Sequence, residues 1–131
     1  MITVDTHIII WDVLRPELLS EKAKSELERA NNSDGIIFCD ISLWEIAMLV
    51  KKKRLEIDIT YLEFIELLKA SNKFIFKSIT PEIADLSMKL SDELNSDPVD
   101  RIIAATSIIL NAPLITADKN LRRSNKLNII W

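Results

Sequence analysis

Short runs of apolar, β-branched residues alternate along this chain with longer stretches of helical periodicity. That alternation restricts the fold more than any other feature. Ile2-Thr3-Val4, Ile36-Ile37-Phe38-Cys39, Phe74-Ile75-Phe76 and Leu114-Ile115-Thr116 read as four strands, with Ile129-Ile130 as a short last one. Between them, helices are predicted from His7 to Leu14, from an N-cap at Ser20 to Asn31, from Leu43 to Lys53, and from a cap at Thr60 to about Ser71. Thr80-Pro81 opens another by the cap-then-proline rule, running to about Leu90. Asp97-Pro98 opens the next, to about Leu110, and Lys119 to Arg123 makes one further turn. Strands alternating with helices predict an α/β fold: a central, mainly parallel sheet of four to five strands with helices on both faces. Such sheets place their sites outside the carboxyl ends of the strands.

The 131 residues suit a single domain, and no repeat, low-complexity run or Pro/Gly/Ser-rich linker divides them. A single glycine, Gly35, excludes the phosphate-binding P-loop and the dinucleotide fingerprint, which need several. One cysteine, Cys39, excludes an internal disulfide framework. With His7 the only histidine, a Cys/His zinc site within the chain is excluded too. Lys and Arg number 17 against 20 Asp and Glu, a net charge of −3, so any nucleic-acid contact must be a local patch. No apolar run is long enough to span a membrane, and MITVDTHIIIWD at the amino terminus lacks the basic start of a signal peptide. The expected location is cytoplasmic.

Asp5 follows the first strand, Asp40 and Glu45 the second, and Asp118 the fourth. Asp97 and Asp100 follow no strand. The helix they open reaches the fourth strand through only Asn111, Ala112 and Pro113. So short a link makes that helix antiparallel to the strand it feeds, which puts its amino terminus, with Asp97 and Asp100, at the strands' carboxyl edge.

Each acid stands near a helix start, where it could simply cap for about 0.3–1 kcal/mol. Ser42-Leu43-Trp44-Glu45 has the spacing of a capping box. Neutral Ser, Thr or Asn would cap equally well, however. Several carboxylates on one rim repel one another and raise one another's pKa unless a cation lies between them. Oxygen donors without His or Cys point to a hard ion, Mg²⁺ or Mn²⁺. Such an ion activates water and neutralises charge when a phosphodiester is hydrolysed.

Four pieces in order, VDTHIIIW at Val4 to Trp11, ISLWEIAMLVKKKRL at Ile41 to Leu55, DPVDRIIAATSIILNAPLITAD at Asp97 to Asp118, and the closing Trp131, resemble the PIN-domain family, and within it the VapC-type toxins of toxin–antitoxin pairs. The resemblance implies a three-layer α/β/α fold and a metal-dependent endoribonuclease that cuts single-stranded RNA regions. It implies Mg²⁺ or Mn²⁺ as cofactor, a VapB-like antitoxin as partner, and a homodimer. The family's acid quartet falls on Asp5, Glu45, Asp100 and Asp118, with Asp5, Asp100 and Asp118 as metal ligands and Glu45 binding metal or orienting water. Asp97 would be a secondary ligand. Two departures concern helix ends and packing: no glycine lies in Lys51–Leu55, and Val99 stands where relatives have an aromatic.

Thr6, Ser42 and Thr116 could hold ligands in place through hydrogen bonds, or serve as caps and strand packing. His7, Arg101, Lys119 and Arg122, with Arg123, are candidates for RNA contact. Cys39 reads as a small buried hydrophobe. Trp11 and Trp44 sit among aliphatics, in core or partner packing. The run Lys51-Lys52-Lys53-Arg54 ends a helix, where cations complement the dipole. The helices His7–Leu14 and Leu43–Val50 offer apolar surface to a partner. A catalytically silent PIN-fold binding module is the rival reading, and metal binding separates the two. A phosphotransferase is disfavoured because Asp5-Thr6-His7 lacks an Asp-x-Asp.

Overall fold

A computed structural model describes residues 1–90, 94 and 97–131. Strands β1 (Ile2–Val4), β2 (Ile36–Cys39), β3 (Phe74–Lys77), β4 (Leu114–Ile115) and β5 (Ile129–Ile130) form one sheet in the order β3-β2-β1-β4-β5, every pair parallel. Helices α1 (Thr6–Leu14), α2 (Glu21–Asn31), α3 (Ile41–Lys51), α4 (Tyr61–Ser71), α5 (Pro81–Lys89), α6 (Pro98–Ile109) and α7 (Lys119–Arg122) cover its two faces. The three-layer α/β/α architecture expected from the alternating pattern is therefore present.

Side chains alternate across the pleat, which splits the core in two. Ile2, Val4, Ile36, Phe38, Ile115 and Ile130 point to a layer with Ile8 and Ile9 of α1, Leu27 of α2, Ile46 of α3 and Phe64 and Leu68 of α4. Ile37, Cys39 and Leu114 point the other way, onto Ile83 of α5, Ile103 of α6 and Leu121 of α7. A sheet covered on both faces explains why the strands read as unbroken apolar runs. At the edge, β3 is only partly covered, and Phe74 and Phe76 pack their rings on Phe38 at 5.2 and 4.7 Å.

Gly35 immediately precedes β2 with φ +96, and a Cβ there would lie 3.0 Å from the Lys73 carbonyl oxygen. Both the positive φ and the backbone neighbour resist a side chain. Gly35→Ala is expected to destabilise the fold by about 1–3 kcal/mol, read as a lower urea midpoint with an unchanged slope.

Two helix boundaries differ from expectation. The first helix begins one residue early, at Thr6, because Asp5 is its N-cap and accepts the Ile8 N–H at 3.1 Å. Thr6 is thus inside the helix and does not cap it. The third spans Ile41–Lys51, not Leu43–Lys53, and stops as Lys53 takes φ 58. Ser42 lies within this helix, so the capping box expected there does not form. The face that α3 buries is Ser42, Glu45 and Ile46. Of the core and partner alternatives expected for Trp44, the core is excluded: it is 59% exposed.

Candidate functional site

Parallel pairing delivers the carboxyl ends of β1, β2 and β4 to one edge, and the next residues of the chain supply the acids. Asp5 leaves β1 as the α1 cap. Glu45 lies one turn into α3 after β2. Asp118 follows β4 and caps α7, accepting the N–H groups of Asn120 at 2.8 Å and Leu121 at 3.0 Å. The short link from α6 to β4, turned at Asn111 with φ 49, holds the α6 amino terminus at that edge. There Asp97 accepts the Val99 N–H at 2.9 Å, and Asp100 sits in the first turn. Asp5, Glu45, Asp97, Asp100 and Asp118 line one cavity of about 330 Å³ with His7, Trp11 and Ala117.

Capping therefore operates at Asp5, Asp97 and Asp118, but it does not account for Glu45 or Asp100. Asp40, at the start of α3, makes no side-chain cap and lies outside this cavity.

The cluster is strained electrostatically. Burial, then the charges of Asp97, Asp118, Asp5 and Glu45, push the Asp100 carboxyl up to about 7. Burial raises Asp5 as well, opposed by hydrogen bonds from the Thr116 hydroxyl and the Ile8 N–H. Glu45 is raised by burial, with Asp97 and Asp5 adding to it and Thr6 and His7 opposing. Lys119 and Arg122, the exposed cations on α7, form no ion pair with any of the five among the described residues.

Hydroxyls position the acids. Thr116 donates to Asp5 Oδ2 while its oxygen accepts the Asp118 N–H at 3.0 Å, tying the first and last acids together. Thr6 and Ser42, both fully buried, pair their hydroxyls at 2.9 Å beside Glu45. Of the two roles expected for Ser42, the structure shows hydrogen bonding beside an acid and not capping. Its place three residues before Glu45, on the same helix face, was the available signal. Of the cations expected near the site, Lys119 and Arg122 are exposed on α7, Arg101 is half-buried on α6, and the exposed His7 lines the cavity.

The donor chemistry fits a divalent cation: five carboxylates, with no imidazole nitrogen among them apart from His7 and no thiol. Among the described residues no three His, Cys, Asp or Glu side chains are already gathered as a closed ligand set. The acids surround a common space from several elements, and both oxygens of Asp5 hold protein partners. Cys39 is no candidate ligand, since burial pushes its thiol up to about 11.

Comparison with known proteins agrees with this architecture. The PIN domain family profile matches residues 2–127. Ribonuclease VapC22 of Mycobacterium tuberculosis is 31% identical over 121 residues, covering 92% of this chain and 89% of that protein. A toxin–antitoxin complex from Klebsiella pneumoniae superposes with a TM-score of 0.68 at 22% identity, covering 100% of this chain and 97% of the other. VapBC2 from Rickettsia felis, bound to a promoter DNA fragment, gives 0.70 at 19% identity, covering 98% and 97%. At those identities the solved structures speak for the fold alone; the sequence matches speak for descent, and this chain belongs to the PIN-domain family.

Proposed function

We propose that this protein is a divalent-metal-dependent endoribonuclease acting on single-stranded RNA, the toxin of a toxin–antitoxin pair. The observation that carries the reading is the meeting of Asp5, Glu45, Asp97, Asp100 and Asp118 in one cavity. The 31% identity to a protein named as a ribonuclease gives the chemistry its direction.

Asp5, Asp100 and Asp118 would hold Mg²⁺ or Mn²⁺, with Asp97 as a secondary ligand. A bound ion of this kind supplies an activated water and neutralises charge on the phosphate and the leaving oxygen. Glu45 orients the attacking water, its carboxylate steadied by Thr6. Thr116 fixes the Asp5 carboxylate and the backbone of Asp118 in one arrangement. His7, Arg101, Lys119 and Arg122 are proposed to meet the RNA backbone or bases around the cavity.

The partner proposed is a VapB-like antitoxin, supported by the toxin–antitoxin complexes that share the fold. Exposed apolar side chains on the helical surface, Leu14, Leu18, Trp44 and Leu62, suit a partner's helix or a second copy of the chain. No described helix is long and apolar enough to cross a membrane.

Cleavage of a labelled single-stranded RNA should stop in EDTA and return when excess Mg²⁺ or Mn²⁺ is added. Undiminished cleavage in EDTA would contradict the metal-dependent mechanism.

A further inference from the structure

The run Lys51-Lys52-Lys53-Arg54 is not explained by the helix it follows. Helix α3 ends at Lys51, with Lys52 as its C-cap. The dipole therefore rewards Lys51 and Lys52 at most, because its effect fades within the last turn. Lys53 adopts φ 58, a conformation unfavourable for a lysine, and Arg54 lies in the turn beyond. All four are exposed, and none has an ion-pair partner among the described residues. In a chain of net charge −3, four adjacent unpaired cations form a strong local positive patch.

One residue of this patch, Arg54, reaches a wide groove. Arg54 lines a groove of about 780 Å³ whose walls include the half-buried Trp11, Met48, Leu49 and Leu55. At its other end the groove shares His7, Trp11, Glu45 and Asp97 with the acid cavity. One continuous path thus begins at Arg54 and its neighbour Glu56, with Lys51 to Lys53 just outside it, crosses an apolar and aromatic floor, and ends at the carboxylates.

We propose that this path binds a single-stranded RNA segment flanking the bond to be cut, the Lys51–Arg54 turn holding its phosphates and the floor around Trp11, Met48 and Leu49 taking its bases. The inference rests on the nuclease reading and adds a binding site to it. Cations track the backbone without reading sequence, and flat or apolar side chains accept any base face, a combination suited to an unpaired strand. A strand seated there approaches the acids from one fixed side, so the turn sets the direction in which substrate threads. The acid rim would repel a polyanion on its own, and the cations at the far end offset that repulsion.

The test uses the full chain in EDTA, where binding is read without turnover. Fluorescence anisotropy follows a labelled oligouridylate of about twelve nucleotides across a salt series. For wild type, log Kd plotted against log salt should give a slope that reflects the phosphates held. The double variant Lys52→Gln with Arg54→Gln should reduce that slope by about 1.4 and weaken binding roughly 10- to 30-fold at 0.1 M salt, from about 0.7 per phosphate contact. A control pair, Lys22→Gln with Arg29→Gln, removes the same charge beside a separate cavity with Met1 and Pro113 at the other edge of the sheet, and should leave the slope unchanged. Equal losses in both pairs would overturn the proposal in favour of general electrostatics. Unchanged binding in the Lys52/Arg54 pair would also overturn it and leave the turn to a protein partner. Because no cleavage is measured, failure of the nuclease reading is seen separately, as RNA bound but never cut when Mn²⁺ is supplied.

Discussion

Replacing Asp100 by asparagine is expected to abolish RNA cleavage and at the same time make the metal-free protein more stable. The two effects have one cause. Asp100 is half-buried among four other acids, and its carboxyl is pushed up to about 7 by burial and by those charges. In the unfolded chain it would titrate near the ordinary value of 3.8. Between these values the folded state binds a proton that the unfolded state has released. Stability without metal therefore falls as pH rises from about 4 to about 7, and stays low above that range. Asparagine removes the charge and keeps the shape. Allowing for the partial access of water, the gain at pH 8 in EDTA is on the order of 1–2 kcal/mol, or roughly 3–8 °C in melting temperature. The same change removes a proposed ligand, and cleavage should fall by about 10³-fold or more. Added Mn²⁺ should raise the melting temperature of wild type and have little effect on the variant, since only a species that binds the ion is stabilised by it. Thermal scans with and without EDTA, beside a cleavage assay, read all three. A variant that melts lower than wild type in EDTA at pH 8 would contradict the electrostatic account.

Asp5 separates structural from chemical roles in a different way. One oxygen caps α1 through the Ile8 N–H at 3.1 Å, and the other accepts the Thr116 hydroxyl. Asparagine caps as well as aspartate, so Asp5→Asn should stay folded with a melting temperature within a few degrees of wild type. Its cleavage should nonetheless fall by about 10³-fold, because a neutral amide is a poor ligand for a hard cation. Asp5→Ala should lose cleavage to the same extent and also lose about 1–3 kcal/mol of stability, from the missing cap and the hydroxyl left without its acceptor. Urea denaturation and the cleavage assay together check the pair. If Asp5→Asn cleaves as wild type does, the carboxylate has no chemical role and the proposed site is wrong.

Much of this arrangement was legible before any coordinates. The parallel sheet followed from strands that read as continuous apolar runs, each joined to the next by helical segments. The site's position followed from topology and one short link. Only Leu110, Asn111, Ala112 and Pro113 separate α6 from β4, so Asp97 and Asp100 had to stand at the edge where Asp5 and Asp118 emerge. What could not be read was which neighbour each polar side chain would choose. Ser42 has the spacing of a cap but lies within α3, because the helix starts earlier and its hydroxyl meets Thr6, 36 residues away in sequence. Likewise, apolar content left Trp44 to either core or partner packing, and its exposure on α3 removes the core alternative. The layer beneath that helix instead takes Ser42, Glu45 and Ile46, since the helix must present Glu45 to the acid cavity. Tertiary context decided both, and local periodicity carries no record of it.

The basic turn has the same lesson in reverse. Cations after a helix are ordinarily explained by its dipole, and only the observed end at Lys51 separates those the dipole accounts for from Lys53 and Arg54, which it does not.

The central claim is that acids from three separate parts of the chain share one divalent ion. Crystals of the wild-type protein grown or soaked with Mn²⁺, measured at a wavelength where manganese scatters anomalously, test it most directly. The account predicts an anomalous peak inside the cavity within bonding distance of Asp5, Asp100 and Asp118. Manganese absent from that cavity, while the same preparation cleaves RNA, would contradict it.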